Sequence, residues 1–130
     1  MDLISKSSLV VVVLVTVACA SGPQPGHEPP PPHAVTLDDA GIRAALIGKT
    51  LQTKSKRGES VTQTFNADGT NLFTMGSERL VERWTVANGQ ICIDSPGYPR
   101  ECDTVKQSAE GLWFLDGKTG AVQNHYKVVP

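Results

Sequence analysis

The chain has no surplus of basic residues: 12 Lys and Arg stand against 13 Asp and Glu in 130 residues, a formal charge of −1. Binding a phosphate backbone calls for a strong basic excess, so a nucleic-acid partner is not expected. The segments that usually carry chemistry are also missing. There is no nucleophile elbow, no phosphate-binding glycine loop, no His-Glu-x-x-His and no paired cysteine knuckle. Cysteines are few. Cys92 and Cys102 stand ten residues apart, away from the Cys-x-x-Cys spacing of a redox-active pair. Aromatic residues make up 5% of the chain, about what a small core needs, and call for no ligand to explain them. The one long apolar run, Leu9 to Ala18, is about ten residues, roughly half of a membrane-spanning helix. The chain is therefore read as a non-enzyme without cofactor or metal.

What is present begins with an export signal. Met1 to Ser8 carries Lys6, the apolar run follows, and small residues come next at Ala18, Ala20, Ser21 and Gly22. That three-part layout reads as a signal peptide over residues 1–18. Val17-Ala18-Cys19 resembles the bacterial lipobox, with Thr16 where leucine is usual. The resemblance implies a bacterial source, cleavage before Cys19 and anchoring through acyl chains such as palmitate on Cys19. Ala20, in place of an aspartate retention signal, then implies an outer-membrane lipoprotein facing the periplasm. The rival reading takes Ala18-Cys19-Ala20 as an Ala-x-Ala site and releases a soluble periplasmic or secreted chain starting at Ser21.

Residues 19–35 read as a tether. Gly22 to Ala34 (GPQPGHEPPPPHA) holds six of the nine prolines. Proline fixes φ and lacks an amide donor, so the run should lie near polyproline II. At about 3.1 Å per residue it could reach on the order of 45 Å and hold a domain clear of lipid headgroups. His27 and His33 lack accompanying ligands of metal-site spacing and are expected to be exposed linker residues.

Residues 36–130 read as the folded domain. Thr36 is the expected cap of a short helix, Asp38 and Asp39 suit its positive end, and Gly48 should stop it. The helix is only weakly amphipathic and should plug or flank one end of a sheet. Beyond it the period changes to two. Strands are expected at Thr50–Ser55, Ser60–Asn66, Thr70–Met75, Arg79–Ala87, Gln90–Asp94, Cys102–Ser108, Leu112–Asp116 and Ala121–Val129. Asn88-Gly89 between alternating runs is a strong hairpin signal, since both residues of a type I′ turn take positive φ. Connections this brief join antiparallel neighbours, so the fold class is all-β: an eight-stranded up-and-down barrel with one short N-terminal helix. A two-sheet sandwich is the alternative.

Cys92 and Cys102 fall on adjacent strands of an exported chain and should form a structural disulfide. The loop Ser95–Arg100 beside it carries Tyr98 and Arg100, two common binding anchors, and is the candidate binding surface. Leu80, Glu82, Trp84 and Val86 alternate on one strand face, which puts Glu82 and Trp84 inside the barrel as candidate cavity residues. The plainer account of Glu82 is a bulge, a register shift, or pairing with Arg79 or Arg83. Lys49, Lys54, Lys56 and Arg57 read as one basic patch on the first hairpin, solvated rather than lipid-binding. His125 alternates with Tyr126 and should face solvent. Asn66 to Thr70 reads as a turn, lacking the acidic spacing and late glutamate of a calcium loop.

Leu46-Ile47-Gly48-Lys49-Thr50-Leu51, Phe65-Asn66-Ala67-Asp68-Gly69-Thr70, Trp84 to Cys92 and Cys102-Asp103-Thr104-Val105 together resemble a family of small exported bacterial domains of unknown function with a lipocalin-like β-barrel. The resemblance covers about residues 37–116, with Arg83 where the family has glycine. It implies a fold and no activity. Periplasmic lysozyme inhibitors and barrel-shaped protease inhibitors share the architecture, but their inhibitory motifs are not visible and no functional residue is carried over. The expected function is a monomeric, envelope-anchored binding domain for a small ligand or a protein partner. The alternative is an inhibitor or immunity-type protein against a lysozyme or protease.

Overall fold

Past Gly48 each alternating run becomes a strand with one face buried, and a turn ends it. The computed structural model describes residues 26–129; the signal peptide, Cys19 and the tether up to residue 25 lie outside the described residues. The described elements are β1 (Val35–Thr36), α1 (Asp39–Leu46), β2 (Thr50–Lys54), β3 (Ser60–Phe65), β4 (Thr70–Met75), β5 (Glu78–Ala87), β6 (Gln90–Asp94), β7 (Glu101–Ser108), β8 (Gly111–Asp116) and β9 (Val122–Val129). Strands β2 to β9 pair antiparallel in sequence order. The β2–β9 pairing closes them into an eight-stranded barrel. Closure leaves no long sheet edge among these strands, which is why so many short strands are stable together.

The Asn-Gly turn forms as the sequence requires, with Asn88 at φ 55° and Gly89 at φ 73°. Cys92 and Cys102 are direct cross-strand partners, Cα atoms 4.0 Å apart, and are joined by a disulfide. The wall is regular apart from a register shift between Phe114 and Leu115.

The helix closes one end of the barrel. Ile42, Ala45 and Leu46 are buried and join one cluster with Leu51, Phe65, Trp84, Val86, Ile91, Val105, Leu112, Phe114 and Tyr126. Polar ties hold α1 in place: Asp39 accepts from the Gly89 amide (2.6 Å) and the Arg43 guanidinium donates to the Val86 carbonyl (3.1 Å). The cap is Asp38, which accepts from the Gly41 amide at 2.7 Å, and Thr36 does not serve. Thr36 is taken up by β1, a strand the sequence did not reveal. β1 pairs with Lys106 and Gln107 of β7, beyond the stretch of β7 that β6 pairs.

The proline-rich stretch also departs from expectation. From Gly26 onward it lies on the barrel wall rather than free in solvent. The His125 amide donates to the Gly26 carbonyl (2.6 Å), and Trp113 Nε1 donates to the Glu28 carbonyl (3.0 Å). Glu28 pairs with His125 at 3.1 Å. Gly26 takes φ +81°, and a Cβ there would stand 2.8 Å from the Lys54 carbonyl, so the approach needs glycine. His125 is on the outer face, as its alternation implies, but it is covered. Its ring stacks on Trp113, centroids 4.2 Å apart and planes within 2°. The expected basic patch is split: Lys49 follows α1 at one end of β2, and Lys56 and Arg57 sit in the turn at the other.

Candidate functional site

Antiparallel alternation sorts the turns. Those at 66–69, 88–89 and 109–110 share the helix end; those at 55–59, 76–77, 95–100 and 117–121 form the opposite mouth. The interior is mainly apolar, and it also holds four buried polar side chains, Gln63, Asn71, Glu82 and Asp103.

Each of these polar side chains is placed by strand register. Glu82 pairs with Asn71 across β5 and β4, two residues before buried Trp84. Asp103 pairs with core residue Ile91 on one side and with Asp116 on the other. The Asn71 amide donates to Gln63 Oε1 (2.7 Å) and to Glu82 Oε1 (2.9 Å). Gln63 donates to the Tyr126 hydroxyl, and Ser95 donates to Glu82 Oε2. Asn71 Oδ1 is buried and finds no partner among the described residues.

Glu82 is therefore inside the barrel, 7% exposed, in regular register. Arg79 and Arg83 lie on the opposite, exposed face of β5. The bulge, the register shift and the arginine partner are all overturned, and amide and hydroxyl donors stand where a cation was expected. Burial raises the Glu82 carboxyl above its ordinary range. The Ser95 and Asn71 bonds oppose the rise and Glu101 adds to it. Asp103, 6% exposed, is pushed up to about 7 by burial, with the negative charges of Glu101 and Asp116 adding to it. Burial also raises the Tyr126 hydroxyl, and Asp103, Glu82 and Glu101 all contribute. Among the described residues, no group of three or more His, Cys, Asp or Glu side chains is arranged to hold a metal ion.

Trp84, the other interior candidate, is a core residue. Its indole N–H donates to the Asn66 and Thr70 carbonyls (3.1 Å each) and its ring meets Phe65 edge-on. Both candidates in the loop lie on the surface. Tyr98 is 70% exposed. Arg100 makes a bidentate pair with Asp94 (2.8 and 2.7 Å), which raises the guanidinium and lowers the carboxyl from their ordinary values. The loop is thus held from three sides: by that ion pair, by the disulfide, and from inside by Ser95 on Glu82. Glu82 and the loop belong to one arrangement, whereas Trp84 does not.

Sequence reasoning missed Asp103, Asn71, Gln63 and Tyr126 as members of this arrangement. Alternation contained the signal for Asp103, two residues before Val105, and for Gln63 between Val61 and Phe65. Asn71 was masked by the adjacent apolar pair Leu72-Phe73. A cleft of about 390 Å³ borders the mouth and is lined in part by Arg100, Glu101, Asp103, Asp116 and Lys118. No family model, curated protein or solved structure matches this chain.

Proposed function

We propose that the chain is a non-enzymatic, envelope-anchored binding domain that captures a protein partner on the rim loop Ser95–Arg100. The observation that carries this reading is a largely exposed tyrosine on a loop fixed from three sides before any partner arrives. Ordering such a loop in advance removes part of the entropic cost of binding, and tyrosine is a frequent anchor. The packing of the interior favours a protein over a small ligand. Leu51, Phe65, Asn71, Ile91, Val105 and Leu112 are each at 0% exposure, so no water-sized void adjoins them. A barrel filled in this way offers little of the room a lipocalin-type carrier needs. The same rigid, projecting loop supports the second reading, an inhibitor that inserts it into the cleft of a lysozyme or protease.

The test is a crosslinking capture from the envelope with the full mature protein, repeated with Tyr98→Ala and Arg100→Ala combined. Losing two anchors should weaken capture by about 30-fold or more. Thermal unfolding should move by no more than a few degrees, since an exposed ion pair is largely screened by water. Unaltered capture rejects this surface. Inhibition of a captured hydrolase, lost in the same double variant, selects the inhibitor reading.

A further inference from the structure

The ladder between β2 and β9 is short. Thr50, Leu51 and Gln52 pair with Val129, Val128 and Lys127, and the described pairing ends there. Gly26 lies beside the next residues of both strands. Its carbonyl accepts from the His125 amide of β9, and a Cβ on it would press on Thr53 and Lys54 of β2. A surface cavity of about 370 Å³ opens at this point, lined in part by Gly26, Glu28, Gln52, Lys54, His125 and Lys127. Gln52 and Lys127 are cross-strand partners and Lys54 lies two residues on, so the three share the outer face, and all are exposed.

Donors outnumber acceptors on this lining. Glu28, the one carboxylate of the six, is spent on both oxygens: Oε1 accepts from the Gly26 amide (3.2 Å) and Oε2 pairs with His125 Nδ1 (3.1 Å). Lys54 Nζ gives one hydrogen bond, to Ser60 Oγ (2.8 Å), and keeps its other N–H groups. Among the described residues neither Lys127 Nζ nor the Gln52 amide has a hydrogen-bond partner. Two ammonium groups and an amide are thus left facing the cavity, and such a set suits an oxyanion. Lys56 and Arg57 stand exposed in the turn that follows β2. Glu59, the acidic residue of that turn, lies against Gly76 of the neighbouring turn.

We propose that the outer face of β2 and β9 around this cavity docks on the phosphate groups of anionic phospholipid headgroups, with Lys54 and Lys127 at the contact and Lys56 and Arg57 beside them. The source of the phosphate follows from where the described chain starts. Gly26 follows Cys19 by seven residues, which span at most about 25 Å when fully extended. An acyl anchor at Cys19 therefore keeps this part of the wall close to the bilayer. That orientation rests on the envelope-anchored reading, whereas the charge of the cavity does not. The rim loop joins β6 to β7, which lie across the barrel from β2 in the strand order, so docking turns Tyr98 away from the bilayer and leaves it open to a partner. The basic run that reads as a solvated patch in the sequence acquires this role through folding, which leaves Lys49 at the helix end and brings Lys127 beside Gln52.

The test uses the full mature chain with Cys19→Ser, which carries no acyl group. Its co-sedimentation is measured with vesicles of phosphatidylcholine, with and without about 30 mol % phosphatidylglycerol, in about 0.05 M salt. Binding to the anionic vesicles should be at least ~10-fold tighter than to the neutral ones, and Lys54→Gln with Lys127→Gln should remove at least ~10-fold of it. Arg79→Gln with Arg83→Gln makes the same charge change on the exposed face of β5 and should cost under ~3-fold. All four side chains are exposed, so neither double variant disturbs the core. Equal losses in the two double variants would reduce the effect to net charge and overturn the docking face, as would equal binding to both kinds of vesicle. Inorganic phosphate that shifts the Gln52 and Lys127 amide resonances of a chain that binds neither vesicle would make this a free-anion site and overturn docking. The anchor is read separately, from the mass of the mature N-terminus of the native chain. Vesicle binding through Lys54 and Lys127 without native acylation keeps the face and removes the anchor; acylation with equal losses in the two variants does the reverse.

Discussion

At the scale of single residues, Asp103 determines how stability follows pH. Its folded-state carboxyl sits at about 7, above the 3.8 of an unperturbed aspartate, so between those values the folded chain holds a proton that the unfolded chain has lost. Stability is therefore full below the lower value, declines as pH rises through the interval, and levels off above the upper one. An interval of about three units sets an upper bound of about 4 kcal/mol, lowered by the solvent that the adjoining cleft admits. Glu82, also raised, acts in the same direction. Glu28, Asp68, Asp94 and Asp116 are lowered and act oppositely, giving up stability as the solution becomes strongly acidic. Urea titrations across pH should accordingly show a maximum on the acid side of neutrality. Asp103→Asn should flatten the decline and raise stability above neutrality by roughly 2–4 kcal/mol. A wild-type profile that rises towards pH 8 would contradict this. Alternation along β5 was enough to place Glu82 on the inner face. What Glu82 binds was not legible, because Asn71 and Ser95 are distant in sequence and meet it only through register and closure.

At the scale of elements, the chain was most legible where local chemistry decides. The Asn88-Gly89 turn leaves no choice of backbone sign, and the hairpin it joins, with its ends at Ala87 and Gln90, forms where alternation placed it. Five residues of β2 and six of β4 likewise lie within the expected runs. Elements set by tertiary contact were illegible. β1 is two residues long and exists because β7 extends past β6 and offers unpaired backbone. Its presence moved the helix cap from Thr36 to Asp38. The Cys92–Cys102 crosslink belongs at this scale, since it ties β6 to β7 beneath the rim loop. The enclosed loop is short, so chain-entropy reasoning gives slightly under about 3 kcal/mol for the bond. Replacing both cysteines by serine should lower the unfolding free energy by about 2–3 kcal/mol at an unchanged m-value and speed amide exchange in residues 94–101. A loss confined to stability, with loop exchange unaltered, would show that the ion pair and Ser95 suffice to order the loop.

At the scale of the whole molecule, the barrel is not a cylinder with a free tail. Leu112-Trp113-Phe114-Leu115 is buried on both faces, which one wall of a solvated barrel cannot be unless something covers the outside. Residues 26–34 contribute to that cover at Trp113, beside the stacked ring of His125. They run from the β2–β9 seam, across Trp113 and His125, to the start of β1. The unbroken apolar run was the sequence's sign of a second buried face, but proline content argued for a free spacer, and the two were not connected. Proline suits the role for the same reason it suits a tether: an extended segment without amide donors can lie on a wall without competing for the ladder. The described chain begins at Gly26, beside Lys54 near the mouth, and residues 26–34, which composition assigns to a free spacer, carry contacts to the wall instead. Replacing residues 26–34 by a glycine-serine linker of equal length should expose Trp113, now 1% accessible. The uncovered apolar area should lower stability by about 2 kcal/mol. The His125 amide, bonded to the Gly26 carbonyl, should lose its exchange protection, while amides of β3, β4 and β5 keep theirs. Protection lost throughout the barrel would make the segment part of the cooperative core. Unchanged protection at His125 would mean that the wall needs no cover and that the segment lies on it only loosely.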